Sequence, residues 1–466
     1  MGSDPVLVLQ LHRMGDLILT FPLLRQLQKI WPGHPIHVVA EPNFFTGLTP
    51  FAPNAAFFPP SQCAAIAKGH YAAAINLSSN QEAASCMAQI CAPYKWGAVG
   101  AAGGRYIHGY WHLYRAALTQ NNHNNAFHWS DLYLLDVAPL KEIAGMYRLP
   151  QRKAGARRVG LVLGASSASK HPDAEFWIRL TRRLRHANVR PFFLGGTAEK
   201  ELGAEVARKT GLPAANFCGR LSLKELGALL GTLDLCVTPD TGPMHLADYL
   251  GVPVLNLSMG PVHARETGPS SPGQWILRAN MSCVGCWQCN RQHFYCKQAF
   301  HPQAVAHIIF TLLDTAASAC SALKVPPGLQ LLRTERNTLG LHTLVGAHED
   351  HTCRFFLENF WQAAFLFLYD ANNLPLLQQR WQQIYTAFPL LANKLAVALH
   401  KLCRCSAGHL EYKTPLPSDF WRTQPPIIRL FSGYMHMALQ NTDYSPQGWQ
   451  TAIEHLAALT RVCASA

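Results

Sequence analysis

Several chemically capable side chains fall at strand-to-helix turns, where an α/β fold presents ligands. Residues 237–261 read VTPDTGPMHLADYLGVPVLNLSMGP: a strand end, a turn at Pro239-Asp240-Thr241-Gly242, a short helix and a second apolar strand. Pro243 suits the first helical position, where a fixed φ fits and a missing N–H leaves nothing unpaired. Asp240 or Thr241 is expected to cap this helix. The free N–H groups of its first turn then welcome an anion, and His245 adds a donor or a ring in the same turn. The loop ASSASKHP at 165–172 offers the hydroxyls of Ser166 and Ser167 and the ammonium of Lys170. These are phosphate-binding groups, although the spacing is not that of a Walker loop. Glu199 follows a Gly195-Gly196 turn; its carboxylate either accepts the two hydroxyls of a ribose or starts a surface helix. Asp16, in His12-Arg13-Met14-Gly15-Asp16, either caps the first helix or stands as a base at the ligand edge.

A different chemistry is written at Cys283-x2-Cys286-x2-Cys289-x6-Cys296, where four thiols lie within fourteen residues. That spacing suits one tetrahedral zinc or iron ion, with His293 as a substitute ligand. Two disulfides or free thiols are the other readings. Its place beyond the last strands points to a structural knuckle. Residues 103–115 (GGRYIHGYWHLYR) interleave basic and aromatic side chains. Arg105, His108 and Arg115 there either meet sugar and phosphate or line a solvated helix.

The elements that must hold these groups alternate. Strands are expected at 6–11, 36–40, 57–58 and 72–77, with helices at 17–31 and 82–91. Residues 119–150 read as a linker. A second series follows: strands at 159–164, 190–195 and 233–238, and helices at 173–186 and 221–230. Short apolar strands alternating with helices make parallel sheets covered on both faces, so two Rossmann-like lobes facing a cleft are expected. Residues 301–320 are expected to be helical, and Val325-Pro326-Pro327-Gly328 marks a boundary. Beyond it the apolar spacing is helical at 355–369, 376–388, 390–405 and 447–463, with no alternating strand pattern. The expected division is an N-terminal lobe over 1–150, a second lobe over 151–325 and an all-helical module over 326–466.

Composition narrows the class. In 466 residues, 40 Lys and Arg against 27 Asp and Glu give a net charge of +13. That excess suits phosphorylated substrates, nucleic acid or an anionic membrane surface. The basic residues are dispersed and no nucleic-acid motif is present, which argues against nucleic acid. No apolar run is long enough for a transmembrane helix, and the start lacks the layout of a signal peptide. Gly2 is no persuasive myristoylation signal. Scattered cysteines such as Cys86, Cys91, Cys218 and Cys236 read as buried thiols, which favours a reducing cytoplasm.

Met14-Gly15-Asp16, the Ser/Lys loop ending at Lys170, and Asp240-Thr241-Gly242-Pro243-Met244-His245-Leu246-Ala247 together resemble the ADP-heptose heptosyltransferases of glycosyltransferase family 9. Leu250-Gly251-Val252-Pro253 and Gly260-Pro261 match as well, and the resemblance covers about residues 5–320. It implies a GT-B architecture and inverting, metal-independent transfer of a heptosyl unit from ADP-heptose to a lipopolysaccharide core acceptor. Asp16 then looks like the general base. Ser166, Ser167, Lys170, Thr241, Gly242 and His245 look like the diphosphate clamp, Glu199 the ribose ligand and Asp240 a loop organiser or sugar contact. Arg13, Arg105, His108 and Arg115 are weaker candidates for the acceptor. The four-cysteine knuckle and the helical tail depart from the best-known members, although cysteine-rich, iron-binding relatives modify autotransporter proteins. A protein acceptor is therefore an alternative, and a non-catalytic nucleotide-sugar-binding module a third reading. The expected location is the cytoplasm, with peripheral association at the inner membrane.

Overall fold

The computed structural model describes residues 3–102, 104–151, 155–283, 285–314, 325–346 and 351–464. Gly2, Gly103 and the end of the helix expected at 301–320 lie outside them.

The run VLVLQ forms β1 (Val6–Gln10), buried along its whole length. The helix expected over 17–31 is two helices, α1 (Met14–Leu19) and α2 (Phe21–Ile30), because Pro22 in the first turn of α2 supplies no N–H to a continuing ladder. Then come β2 (Ile36–Ala40), β3 (Ala56–Phe58), β4 (Ala73–Asn76), α3 (Gln81–Gln89) and β5 (Lys95–Ala101). The basic–aromatic stretch is not one helix: β6 (Gly104–His108) pairs antiparallel with β5, and only Tyr110–Ala117 is helical, as α4. The first sheet has the order β3-β2-β1-β4-β5-β6.

The second series begins with β7 (Arg158–Val162), α5 (Ala174–His186) and β8 (Arg190–Leu194), and goes on through α6 (Lys200–Thr210), α7 (Leu223–Leu230) and β9 (Leu235–Pro239). After β9 stand α8 (Gly242–Tyr249), β10 (Val254–Ser258), β11 (Trp275–Ala279) and α9 (Pro302–Asp314). Strands β7 to β11 pair in parallel. Val159, Leu161, Trp177, Val237, Leu255 and Ile308 are among the side chains packed in its core.

The tail is not all helical. Residues 329–346 form β12 (Leu329–Arg336) and β13 (His342–Gly346), an antiparallel pair that extends the second sheet beyond β11. Leu331 and Leu332 are both buried, which removes the alternation by which a strand is recognised. Helices follow: α10 (Cys353–Tyr369), α11 (Leu374–Ala387), α12 (Pro389–Tyr412), α13 (Arg429–Gln440) and α14 (Pro446–Ala464).

By packing, the chain divides into two compact units that cross the three segments expected in sequence order. One comprises residues 1–74, 91–93 and 128–349; the other comprises 75–90, 94–127 and 350–466. In the second unit the tail helices pack on α4 rather than standing apart. Tyr110 donates its hydroxyl to the Phe365 carbonyl at 2.9 Å, and the Tyr114 and Phe365 rings meet edge to face at 4.5 Å.

Candidate active site

In the first unit, the turn after β1 and the turn after β9 meet. Gly15 makes this possible: a Cβ there would stand 2.7 Å from the His245 ring, so only glycine lets α1 lie against α8. Asp16 accepts the Arg13 backbone N–H at 3.2 Å, so its carboxylate does cap its own helix. It is nevertheless half-buried and close enough to raise the pKa of Asp240. The two readings of Asp16 coexist.

Asp240 is pushed up to about 6, by enclosure among its neighbours first; Lys170 and a hydrogen bond from Thr267 pull it down, and Asp16 pushes it further up. The Thr267 hydroxyl donates to Asp240 Oδ2 at 3.0 Å. Asp240 therefore does not cap α8 as expected. Thr241 occupies the N-cap position in an extended conformation, and its side chain makes no capping hydrogen bond either. Pro243 sits second in the helix rather than first. The first-turn amides thus lack the side-chain cap that the turn's composition predicts, since Asp240 is drawn to Thr267 instead.

His245, one turn into α8, is buried and its pKa is lowered to about 3, by burial first and then by His128. Among the described residues its Nδ1 meets no hydrogen-bond partner. A neutral imidazole with an unmatched nitrogen can accept or donate one hydrogen bond without bringing a charge.

Opposite these groups in the same unit is the loop after β7. Ser167 starts a 3-10 turn over Ala168–Lys170, accepting from the Ser169 amide at 3.3 Å and sharing a 2.9 Å hydroxyl contact with Ser169. Ser166 accepts from Arg13 Nη1 at 3.2 Å. Arg13, expected on the acceptor, is thereby tied to the phosphate loop. Gly260 seals the loop from behind: its φ is +76°, and a Cβ would lie 2.1 Å from the Ser169 carbonyl oxygen. Glu199 accepts the Gly196 amide at 2.7 Å, so it closes its own turn at the ends of β7 and β8, packed against Gly164 and Gly195.

Arg105, His108 and Arg115 belong to the second unit. Arg105 donates to the Ser79 carbonyl, and Arg115 to the Leu77 carbonyl at 2.7 Å, so both guanidiniums hold the chain after β4. His108 is exposed at the end of β6.

The four cysteines of the cluster are partly exposed thiols. They are near neighbours: burial and then the thiols of Cys289, Cys283 and Cys296 raise the pKa of Cys286. Cys296 Sγ accepts the Gly260 amide at 3.3 Å. Among the described residues no three His, Cys, Asp or Glu side chains come together as ligands of an ion. The expected knuckle is thus gathered but not closed into a ligand set, one sulfur being engaged by backbone. Four thiols remain a donor set fitted to a soft ion.

Sequence reasoning passed over Thr267, Glu266, Trp129 and Trp287. Glu266 is buried and accepts the Trp287 indole N–H at 2.7 Å. Trp287 carried a signal, an aromatic residue inside the cysteine spacing. Thr267 and Glu266 carried none, because they reach the site only through the fold.

A family model described as glycosyltransferase family 9 (heptosyltransferase) matches residues 66–293. That span holds Lys170, Glu199, Asp240, His245 and three of the four clustered cysteines, and begins after Asp16. Lipooligosaccharide heptosyltransferase 2 of Campylobacter jejuni is 26% identical over 160 residues, which cover 33% of this chain and 50% of that protein. Lipopolysaccharide heptosyltransferase 1 of Pseudomonas aeruginosa is 33% identical over 156 residues, 32% of this chain and 42% of that protein. The chain thus spans about half the length of the curated relatives it matches. In structure it is similar to ADP-heptose lps heptosyltransferase II of Escherichia coli, with a TM-score of 0.51 and 19% identity over 66% of this chain and 98% of that one. The family 9 glycosyltransferase of Veillonella parvula gives a TM-score of 0.51 and 19% identity over 67% and 98%. These likenesses establish the fold as two α/β sheets of the GT-B kind, to which this chain adds its helical C-terminal region.

Proposed function

We propose that this chain, which over residues 66–293 belongs to glycosyltransferase family 9, transfers a heptosyl unit from ADP-heptose to a lipopolysaccharide core acceptor with inversion. The observation that carries this reading is the meeting of Asp16, Asp240, Lys170 and His245 around one turn. Asp16 takes the proton of the acceptor hydroxyl as that oxygen attacks the anomeric carbon. Lys170, Ser166, Ser167 and the amides of Thr241 and Gly242 receive the departing diphosphate, whose charge grows as the glycosidic bond breaks. His245, held neutral, adds a hydrogen bond. Asp240, tied to Thr267, contacts the donor sugar, and Glu199 the ribose.

Cys283, Cys286, Cys289 and Cys296 would hold a structural zinc or iron ion as thiolates, and no step of transfer runs through it. Among the described residues no helix is long and apolar enough to cross a membrane, and the net charge of +13 supports approach to a phosphorylated acceptor at a membrane surface. Work in the cytoplasm, beside that surface, belongs to the same proposal.

The test is a panel of nucleotide sugars with lipid, protein and no acceptor, followed by nucleotide release. ADP-heptose with a core acceptor is expected to give the fastest release. Turnover of another donor with no response to ADP-heptose would remove the heptosyl assignment, and preference for a polypeptide would move the acceptor to protein.

A further inference from the structure

The cysteine loop, read from sequence as a structural knuckle, is fastened to the phosphate loop and to the turn after β10. Trp287, between Cys286 and Cys289, lies 5.8 Å by ring centroid from the Lys170 ammonium. Its indole N–H is held by buried Glu266 at 2.7 Å. Trp129 stacks on the indole, with centroids 5.6 Å apart and planes 25° from parallel. Close by, Lys297 Nζ donates to the Ala168 carbonyl at 2.7 Å, and the Gly260 amide donates to Cys296 Sγ. A ring stacked on one neighbour and hydrogen-bonded to another is a stiff platform.

Lysine is a flexible stem with a point charge at its end, and it gives up rotamer freedom on gripping a phosphate. An aromatic face that gathers the ammonium beforehand removes part of that cost. We infer that Trp287 is a positioning residue, which acts through Lys170 to preorganise the site for a nucleoside diphosphate and makes the cysteine loop part of donor recognition. This rests on the assignment of Lys170 to the donor diphosphate.

The experiment is calorimetric titration of ADP into the full chain, in a double-mutant cycle of Trp287→Ala and Lys170→Met. Trp287→Ala is expected to weaken ADP binding about tenfold, in the range of a partly desolvated cation–π contact. In the Lys170→Met background the same change is expected to cost less than about twofold, since its partner is gone. In transfer assays Trp287→Ala is expected to raise KM for the donor and to lower kcat as well, because Lys170 meets the charge that grows on the departing diphosphate. Unchanged ADP affinity in Trp287→Ala, or the full loss persisting without Lys170, overturns the inference. Should alanine destabilise the chain, Trp287→Phe keeps a ring face and loses the N–H. It is expected to bind ADP within about threefold of native, and a larger loss overturns the role of the face. A native chain that binds neither ADP nor another nucleoside diphosphate defeats the donor-site reading itself; native binding with no effect at Trp287 defeats this inference alone.

Discussion

Asp16 and Asp240 divide the work by environment. Asp240 carries a pKa near 6 because enclosure and the neighbouring Asp16 outweigh Lys170 and the Thr267 hydroxyl. A carboxyl raised in the folded state holds its proton more tightly there than in the unfolded chain. Its contribution to stability is therefore complete below about pH 4 and lost as pH rises through 6. Asp240→Asn, which still accepts from Thr267, is expected to stabilise the chain at pH 7.5 by about 1–2 kcal/mol after allowance for partial exposure. The same variant is expected to lose most transfer. Urea melts with parallel rate measurements check both; a less stable variant would contradict the enclosure argument. The identities of these side chains were legible from their turns. Their states were not, since Thr267 lies 27 residues along the chain from Asp240 and no local pattern pairs them.

At the scale of elements, glycines decide whether turns can meet. Gly15 admits the His245 ring, and Gly260 combines a φ of +76° with the Ser169 carbonyl where a Cβ would be. Gly260→Ala is expected to cost about 1–3 kcal/mol from strain and crowding and to weaken ADP binding by displacing the phosphate loop. Gly15→Ala is expected to reduce transfer more than stability, because the ring it pushes belongs to the site. Thermal melts beside ADP titrations distinguish the two, and native behaviour in either would show that the turns do not pack as described. Strand-turn-helix order was readable because apolar runs and turn residues are local signals. The pair β12 and β13 was not. Thr334 is buried in β12, donating to the Ser271 carbonyl at 2.6 Å, so a polar residue occupies a core position.

Across the first unit, a buried polar network joins segments that the sequence separates. Arg336 of β12 pairs with Asp131 at 2.6 Å, donates to the Ser270 carbonyl at 2.6 Å and lies 3.6 Å from the Tyr147 ring centroid. Asp131 also accepts the His342 amide at 2.8 Å. Arg336→Met leaves the buried Asp131 carboxylate without its counter-charge and is expected to cost about 3–5 kcal/mol; a melting temperature within about 1 °C of native would contradict it. His128, His245 and His342 all have lowered pKa values, burial being the largest cause in each. His245, its pKa lowered to about 3, is neutral when folded and protonated when unfolded at pH 5, so stability falls as pH drops below about 6.5, by up to about 1.4 kcal/mol per pH unit for that ring. Urea midpoints at pH 7 and pH 5 test this, and equal midpoints would count against it. None of these pairings was legible, because the partners lie far apart in the sequence, from 66 residues for Arg336 with Ser270 to 211 for His342 with Asp131.

The central claim is that Asp16 is the base of a glycosyl transfer whose leaving group departs at the turn after β9. ADP release from ADP-heptose, with a core acceptor lacking its heptose, tests it most directly in native chain and Asp16→Ala. The account predicts that Asp16→Ala binds ADP-heptose with near-native affinity and transfers about 10²–10⁴-fold more slowly. Transfer at the native rate in that variant would contradict it.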